Sequence, residues 1–329
     1  MNNLKGSINS TFFGLVVFGS FLFGCATEAP DHEKPKKEEA ELILEYSSTK
    51  YLIEPEELAT KLEKANVKLI DMRDPNDYST GHIQGAINIW RPQITDTTFE
   101  YGGMMGTKEQ LEKLLGNSGI LPSDSIIIYD DRAQCNAARL WWLLKYFGHE
   151  HMAMLNGGLK SWEQAGGILS KEIIVADSVK YTFSASSLES ICASQENVKT
   201  SFIDTNSILL DTRGPDEFSG EKHKDGAADA GAIPNAINMD WSMAVDYHGD
   251  QKFLPYKELK RIYAEIGIDG TQPVITYCHS GVRSAHTLFV LTELLGYKNV
   301  RNYDGSWIEW SYLENKKAQA TGNSSIGSY

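Results

Sequence analysis

The sequence predicts an α/β fold with two similar halves, each a mainly parallel sheet flanked by helices on both faces. The first observation is an internal repeat, because residues 129–162 align without gaps on residues 277–310. The second is that short apolar segments alternate with segments of helical periodicity in each half. The third is composition, since 41% hydrophobic and 23% charged residues over 329 positions are typical of globular domains. Alternating strands and helices favour a parallel sheet with both faces covered.

The repeat also has an upstream block, in which residues 69–73 are similar to 209–213 and residues 81–88 to 231–238. The second copy is longer between these two stretches, within residues 219–230. The inserted residues are polar or rich in Gly and Ala, so they predict a surface loop.

The elements of the first half follow from their residue types. Runs of β-branched and aromatic residues predict strands, and apolar residues at three- and four-residue spacing predict helices. The predicted strands are 67–71, 126–129 and 152–155, and the predicted helices are 108–115, 136–147 and 159–165.

The N-terminus resembles that of a bacterial lipoprotein. Lys5 precedes an apolar run, residues 12–23, that is too short to span a bilayer. The stretch 22–25 ends in Gly24 and Cys25 and resembles a lipobox. We therefore expect residues 1–24 to be a signal peptide, cleaved before a lipidated Cys25. This implies a bacterial cell-envelope location, periplasmic or outer-surface, with the lipid as the only membrane attachment. A soluble signal peptide or a fortuitous apolar N-terminus is the alternative.

Composition and the repeat set the predicted domain limits. Residues 25–48 are rich in Glu, Lys and Pro and predict a flexible tether. The first domain is predicted at 49–170 and the second at 188–315. Residues 171–187 are the predicted connector and residues 316–329 a polar tail.

Charge and cysteine content limit the function classes. A net charge of −13 argues against binding nucleic acid, which requires clustered Lys and Arg. The eight histidines show no ligand spacing, so no metal site is expected. With Cys25 acylated, an odd number of cysteines remains (Cys135, Cys192 and Cys278), so at least one is unpaired within the monomer. Whether Cys135 pairs with Cys192 is open.

Cys278 stands where the predicted strand 274–277 ends and a predicted helix begins at Val282. Gly281 lets the chain curl tightly between the two elements. In such a curl the backbone N–H groups and the helix dipole point at one position, so a thiol there ionises readily and becomes a nucleophile. A buried structural cysteine is the alternative, and polar neighbours such as His279 argue against it.

The stretch 274–284 resembles the active-site loop of the rhodanese family of sulfurtransferases, in which a cysteine carries sulfur as a persulfide. The spacing here is Cys-x4-Arg, whereas rhodanese-like phosphatases have a loop one residue longer that accommodates phosphate. The resemblance covers roughly residues 48–315 and implies two tandem rhodanese-like domains, Cys278 as the catalytic residue and no cofactor. It also implies that the substrate-binding residues of the loop are His279, Ser280, Gly281, Val282, Arg283 and Ser284.

The first copy differs at the decisive position. Asp130 stands where the second copy has Cys278, and Cys135 stands opposite Arg283. A carboxylate cannot form a persulfide, so the first loop is expected to be catalytically silent. The resemblance implies that the first domain supplies one wall of the cleft. We interpret Cys135 as a small packing residue rather than a second nucleophile.

Two arginines outside the loop are candidates for binding an anionic donor. Arg213 follows a predicted strand in an Asp-x-Arg motif, and the resemblance places it near the reactive cysteine. An ion pair with Glu217, like one between Arg73 and Asp77, is the alternative. Arg91 follows the motif that leads the first domain toward the interface.

The predicted function is sulfur transfer by a ping-pong mechanism. The Cys278 thiolate takes the sulfane sulfur of thiosulfate or 3-mercaptopyruvate, and a thiol or cyanide then removes it. A protein sulfur acceptor is left open. One alternative is a non-catalytic persulfide carrier for a partner protein. The other is a phosphatase or arsenate reductase with the same fold.

The expected donor depends on the residues after the cysteine. Family members that prefer thiosulfate resemble one another in carrying Arg and Lys there, and those that prefer 3-mercaptopyruvate carry Gly and a small hydroxyl residue. Ser280 resembles the second type, whereas Arg283 supplies a fixed positive charge. His279 adds charge only when it is protonated. We expect thiosulfate to be the better donor.

Overall fold

The computed structural model describes residues 45–184, 186–204 and 206–320. The predicted signal peptide, Cys25 and most of the predicted tether lie outside these residues. Within the described ranges, no helix combines the length and the apolar content needed to cross a membrane.

The first half is built on a sheet in which five described strands pair in parallel. They are β1 (Leu52–Ile53), β2 (Val67–Asp71), β4 (Ala86–Asn88), β5 (Ser125–Tyr129) and β6 (Met152–Leu155). Their spatial order is β1-β6-β5-β2-β4. Beside this sheet, β3 (His82–Ile83) pairs antiparallel with β7 (Leu169–Ser170).

The second half repeats this sheet. Its strands are β8 (Cys192–Ala193), β9 (Ile208–Asp211), β10 (Ile237–Asn238), β11 (Val274–Tyr277) and β12 (Val300–Tyr303). The order β8-β12-β11-β9-β10 matches the first sheet strand by strand, and every pairing is parallel. The repeat in the sequence is therefore a repeat of the fold, and the predicted α/β architecture is confirmed.

Helices flank both sheets. In the first half they are α1 (Pro55–Ala59), α2 (Pro75–Thr80), α3 (Lys108–Asn117), α4 (Cys135–Tyr146) and α5 (Gly158–Gln164). In the second half they are α6 (Gln195–Ser201), α7 (Pro215–Ser219), α8 (Tyr256–Glu265), α9 (Arg283–Phe289) and α10 (Ser306–Ala320).

The first sheet is buried on both faces. Neighbouring residues of a strand point to opposite sides of the sheet, and apolar residues cover both sides of β5. Ile126 and Ile128 of β5 belong to one apolar cluster, together with residues of α3 and α4. Ile127 and Tyr129 of the same strand belong to another, together with residues of α1 and α5. This explains why the strand reads as an unbroken apolar run.

The inner faces of the two sheets share one core. α4 of the first half packs against α9 of the second, and Trp141 meets Phe289 edge-on with ring centroids 4.8 Å apart. Lys145 of α4 also forms an ion pair with Glu293. This packing brings the carboxyl end of β11 and the start of α9 against the first half.

Most predicted elements agree with the structure to within one or two residues, but two regions differ. The predicted polar tail does not begin at residue 316, because α10 continues to Ala320. Its last turns are anchored by Glu100, which accepts hydrogen bonds from Tyr312 at 2.7 Å and Lys316 at 2.8 Å. The helix predicted from Val282 becomes a π-helical turn at Val290–Leu294, which helical periodicity alone does not distinguish from an α-helix.

Candidate active site

A tight loop connects β11 to α9 and contains Cys278, whose side chain is only 1% exposed. Gly281 has a φ of 73°, and a Cβ at this position would lie 2.6 Å from the carbonyl oxygen of Asp304. Both the backbone conformation and the close approach require glycine, as the sequence predicted.

Ser306, at the start of α10, ties the two ends of this loop together. Its Oγ accepts hydrogen bonds from the N–H of Cys278 at 3.1 Å and of Gly281 at 3.0 Å. Ser306 has a φ of 52°, which residues with a side chain rarely adopt. The first copy has Gly158 at this position, where a Cβ would lie 2.2 Å from the carbonyl oxygen of Asp130. Of the two copies, the second therefore has this serine and its two hydrogen bonds, whereas the first has a glycine without a side chain.

The thiol of Cys278 is acidic for a buried cysteine. Burial raises its pKa, but the positive charge of Arg283 and a hydrogen bond from Ser284 Oγ to Sγ at 3.5 Å outweigh this effect. The N–H groups of Ser284 and Ser280 act in the same direction, and the resulting pKa is about 7. A large share of Cys278 is consequently thiolate at neutral pH.

Arg283 does not extend freely into the cleft. Its guanidinium forms a two-pronged ion pair with Glu217, in which Nη2 lies 3.1 Å from Oε1. Arg283 therefore acts on Cys278 as a fixed nearby charge, held in place by Glu217.

The first domain forms one wall of the loop, as the family resemblance implied. Arg91 reaches across and donates from Nη2 to the Oγ of Ser280 at 2.5 Å. Gly103 packs against the same residue, where an added Cβ would lie 2.7 Å from the Cβ of Ser280. Arg91 is thus located beside the catalytic loop, and its role in binding a donor stays a proposal.

A second residue of the first domain, Arg139 of α4, also contacts the loop. Arg139 of α4 donates from Nη1 to the carbonyl oxygen of Gly281 at 3.2 Å. Its Nη2 forms an ion pair with Asp304 at 2.6 Å, and both side chains are almost fully buried. Asp304 also accepts a hydrogen bond from the N–H of Met105 at 2.8 Å. Residues of both domains therefore hold the loop that contains Cys278 in place.

His279 is not an available cation. Its Nε2 lies 2.9 Å from the carbonyl oxygen of Asp225, so this nitrogen carries the hydrogen and donates it. Burial lowers the pKa of His279 to about 4, which leaves the ring neutral at pH 7. The resemblance implies that His279 is a substrate-binding residue, but its N–H group is already bonded to Asp225 and is not free to donate to an anionic substrate.

Arg213 is also placed differently from the prediction. Its guanidinium donates to both carboxylate oxygens of Asp211, at 2.6 to 3.0 Å, and to the carbonyl oxygen of Gly231 at 2.8 Å. It lies over the ring of Trp307, 5.1 Å from the centroid, and is 2% exposed. The prediction that Arg213 faces the donor is therefore wrong. The alternative, an ion pair with Glu217, is also wrong, because Arg213 pairs with Asp211 of its own Asp-x-Arg motif.

Arg73 repeats this arrangement in the first copy. It pairs with Asp71 at 2.7 Å and donates to the carbonyl oxygen of Gly81 at 2.7 Å, so Asp77 is not its partner. The motif has the same structural role in both domains.

The loop of the first copy holds its own anion. The carboxylate of Asp130 accepts hydrogen bonds at 2.6 to 3.0 Å from four backbone N–H groups, those of Arg132, Gln134, Asn136 and Ala137. Burial raises the pKa of Asp130 to about 6, against the effect of these N–H groups, so the side chain is mostly ionised at pH 7. The position that a thiolate takes in the second copy is filled here by a carboxylate.

Cys135, Cys192 and Cys278 are all free thiols in the part of the chain that the structure describes. Cys135 belongs to the shared core, and burial, followed by the charge of Asp130, raises the pKa of its thiol well above the usual range. Such a thiol stays protonated, which agrees with the interpretation of Cys135 as a packing residue.

A cavity of about 520 Å³ lies on the first-domain side of the interface. It shares Arg91 and Gly103 with the wall of the catalytic loop, and Trp90 and Arg132 also line it. Among the described residues, no cluster of His, Cys, Asp or Glu has the arrangement of a metal site.

Sequence reasoning missed several residues of the site. Arg139, Asp304 and Ser306 hold the loop, yet each comes from a distant element, and only the fold brings them together. The sequence does contain an indication for Ser306, because the equivalent position of the first copy is a glycine.

Comparison with known proteins agrees with this geometry. A family model described as "Rhodanese-like domain" matches the chain twice, at residues 54–165 and 194–312. The chain is 39% identical over 247 residues to a Mycolicibacterium smegmatis protein with the provisional name thiosulfate sulfurtransferase, covering 73% of this chain and 86% of that protein. It is 33% identical over 284 residues to a sulfur carrier protein of Thermus thermophilus, covering 82% and 96% of the two chains.

A solved structure from Escherichia coli, described as a 3-mercaptopyruvate sulfotransferase with the rhodanese fold, superposes with a TM-score of 0.67. It covers 78% of this chain and 98% of that one at 24% identity, a level that shows the fold alone. Fold, repeat and family model together define a protein of two rhodanese-like domains. The chain belongs to the rhodanese-like family.

Proposed function

We propose that this protein is a sulfurtransferase that moves sulfane sulfur through a persulfide on Cys278. The observation that carries the proposal is a thiol with a pKa of about 7, at the carboxyl end of β11 and beside Arg283. A thiolate at this position is both populated and nucleophilic at neutral pH.

The silent loop supports the proposal, because it binds an anion at the matching position. The N–H groups of Ser280 and Ser284 lower the pKa of Cys278. They align with two of the N–H groups that bind the carboxylate of Asp130. A persulfide anion on Cys278 is stabilised in the same way, by preorganised backbone donors.

With thiosulfate as donor, the Cys278 thiolate attacks the sulfane sulfur. A sulfur–sulfur bond forms to Cys278, the sulfur–sulfur bond of thiosulfate breaks, and the electron pair leaves with sulfite. With 3-mercaptopyruvate, the carbon–sulfur bond breaks and the thiol proton passes to the leaving pyruvate. We infer thiosulfate as the preferred donor, because thiosulfate carries two negative charges and Arg91, which donates to the uncharged Ser280, brings positive charge to the loop that contains Cys278.

The second half-reaction regenerates the thiolate. An acceptor thiol or cyanide attacks the outer sulfur of the persulfide, and the electron pair of the broken bond returns to Cys278. Both half-reactions balance without a redox cofactor.

Phosphatase chemistry fits the site poorly. In addition to the short Cys-x4-Arg spacing, the guanidinium of Arg283 is already bound to the carboxylate of Glu217. Hydrolysis of p-nitrophenyl phosphate by the wild type should not exceed that by Cys278→Ser.

Steady-state sulfur transfer to cyanide tests the proposal. The wild type should form thiocyanate from thiosulfate, Cys278→Ser should abolish it, and Cys135→Ser should keep most of it. Equal loss in both variants, with circular dichroism unchanged, would show that the silent-domain assignment is mistaken.

A sulfur carrier is the second candidate, because a relative with 33% identity is named as one. A carrier would load sulfur on Cys278 but release it only to a partner protein. Multiple turnovers with small acceptors favour the enzyme, and a single loading event without turnover favours the carrier.

The proposed location is the bacterial cell envelope, with a lipid on Cys25. It is supported by the lipobox-like residues 22–25. A fatty-acid probe should label the wild type in cells and leave Cys25→Ser unlabelled; equal labelling would rule out the anchor.

A further inference from the structure

The cavity of about 520 Å³ lies in the first half, at the carboxyl ends of β2, β4 and β5. Asp74 follows β2, Trp90 follows β4 and Asp131 follows β5, and all three residues line the cavity. Parallel sheets bind ligands at this edge, and pockets for small molecules typically measure about 300 to 1,000 Å³. The first half therefore has the position and the space of a binding site, although its own loop has no reactive cysteine.

Asp77 brings an unpaired carboxylate to this cavity. It occupies the position of Glu217 in the second half, since each residue follows its Asp-x-Arg motif by four positions. Glu217 is bound to Arg283, whereas the first half has Cys135 opposite that arginine. With no arginine at this position, Asp77 forms no ion pair with any residue that the structure describes.

Arg132 brings the opposite charge. Its side chain is exposed, lines the cavity and forms no ion pair within the described part of the chain. Asp131 lines the cavity as well, and its charged neighbours are Arg73, Arg132 and Asp77. Arg73 is already bound to Asp71. The cavity thus offers carboxylates and a guanidinium side by side, and a ligand that carries both charges can satisfy them.

Two further features connect the cavity with the reaction. Trp90 is 38% exposed and adds an apolar surface to the lining. The cavity shares Arg91 and Gly103 with the wall of the loop that contains Cys278, and both residues contact Ser280. Because Gly103 has no side chain, only its backbone separates the cavity from the loop at this point.

We propose that this cavity binds the sulfur acceptor, and that it takes thiols whose body carries both an ammonium and a carboxylate, as amino-acid thiols do. Asp77 and Asp131 bind the ammonium, Arg132 binds the carboxylate, and the apolar stem packs on Trp90. The inference rests on the proposed function and names the chemical class of its acceptor.

Transfer to such a thiol balances without a further reactant. The acceptor thiol releases its proton to water, and its sulfur attacks the outer sulfur of the persulfide. A sulfur–sulfur bond forms to the acceptor, the bond to Cys278 breaks, and its electron pair returns to Cys278 as the thiolate. Cyanide carries neither an ammonium nor a carboxylate, so it serves as the reference acceptor that does not depend on the cavity.

Acceptor kinetics with the persulfide-loaded protein test the site. Asp77→Asn and Arg132→Met should each lower the ratio of kcat/KM for cysteine to kcat/KM for cyanide about tenfold, because each loses one charge pair with cysteine. Asp177→Asn and Arg301→Met are the matched controls, because both residues are exposed and lie outside the cavity lining, and they should keep the ratio of the wild type. An unchanged ratio in Asp77→Asn and Arg132→Met would overturn the assignment.

Calorimetry with S-methylcysteine, which cannot accept sulfur, tests binding without turnover. Arg132→Met should weaken the binding of S-methylcysteine about tenfold but should not weaken that of S-methylcysteine amide, which lacks the carboxylate. Asp77→Asn should weaken the binding of both ligands. A wild type that does not bind S-methylcysteine, or equal losses for both ligands in Arg132→Met, would refute the site. A wild type that gains no sulfur from either donor would instead refute the sulfurtransferase proposal, and calorimetry would still decide on the cavity.

Discussion

Cys278 is buried, and burial alone would keep its thiol protonated. The nearby charge of Arg283 and the hydrogen bond from Ser284 reverse this effect and bring the pKa to about 7. The reactivity of the loop therefore depends on one fixed positive charge more than on exposure to solvent.

The first prediction concerns the pH dependence of this thiol. Because the thiolate is the reactive form, alkylation of Cys278 by neutral iodoacetamide should accelerate as the pH rises through about 7. Arg283→Met removes the stabilising charge, so the midpoint should move to higher pH. Replacing the exposed Arg301 in the same way is the control. An unchanged midpoint in Arg283→Met would show that the arginine does not set the pKa.

The second prediction concerns Ser306, which combines an unfavourable φ with two hydrogen bonds to the loop. Ser306→Gly installs the residue of the silent copy and should relieve about 1 kcal/mol of backbone strain while losing a similar amount in hydrogen bonds. We expect little change in the free energy of unfolding, measured in urea, but a kcat reduced about tenfold. A loss of stability of several kcal/mol with unchanged kcat would contradict this role.

Single residues show both the reach and the limit of sequence reasoning. The position of Cys278 at the end of a strand and the need for a glycine at Gly281 were predicted correctly, because both follow from local chain geometry. The role of Arg213 was predicted wrongly, because its guanidinium forms an ion pair with Asp211 of the same motif. The Asp-x-Arg spacing allows this local ion pair as readily as an arginine that faces the donor.

At the scale of elements, the loops after β5 and β11 differ at one decisive residue. Backbone N–H groups surround Asp130 in the first loop and Cys278 in the second. Asp130 accepts hydrogen bonds from four N–H groups of its own loop and of the first turn of α4, so the position that corresponds to Cys278 holds a hydrogen-bonded carboxylate. The four buried N–H groups need an acceptor, because each buried polar group without a partner destabilises the fold. The carboxylate of Asp130 supplies it.

The third prediction follows from these hydrogen bonds to Asp130. Asp130→Ala leaves the N–H groups of the loop without an acceptor and should lower the free energy of unfolding by about 3 kcal/mol. Asp130→Asn keeps one carbonyl acceptor and should lower it less. Urea denaturation measures both changes, and kcat should change little in either variant if the loop is silent. Stability losses of equal size would show that the acceptor does not matter.

Strands were the best-predicted elements, because a short apolar run bounded by polar residues leaves few alternatives. β2, β6 and β11 match the prediction residue for residue. The inserted segment was correctly predicted to be a loop, but its packing onto His279 could not be read from composition. Nothing in a polar, glycine-containing stretch indicates which surface it will cover.

At the scale of the whole molecule, residues of both domains hold the loop that contains Cys278. Arg139 of the first domain is paired with Asp304 of the second, with both side chains less than 5% exposed, and it also bonds to the loop itself. The first domain is therefore part of the candidate site, and the core shared by α4 and α9 should couple the stabilities of the two halves.

The fourth prediction tests this coupling. Arg139→Met leaves the charge of Asp304 buried and unpaired and should lower the free energy of unfolding by about 3 to 5 kcal/mol. Adding Asp304→Asn removes that charge and should recover a large part of the loss. Urea denaturation should show one transition for the wild type. Separate transitions for the two halves, or a loss below about 1 kcal/mol, would contradict the coupling.

The most direct measurement is intact-protein mass spectrometry after brief exposure to thiosulfate. The wild type should gain the mass of one sulfur atom, peptide mapping should place it on Cys278, and cyanide should remove it. Cys278→Ser should gain nothing, and Cys135→Ser should behave like the wild type. Sulfur on Cys135, or no mass gain in the wild type with either donor, would contradict the assignment of Cys278 as the sulfur-carrying residue.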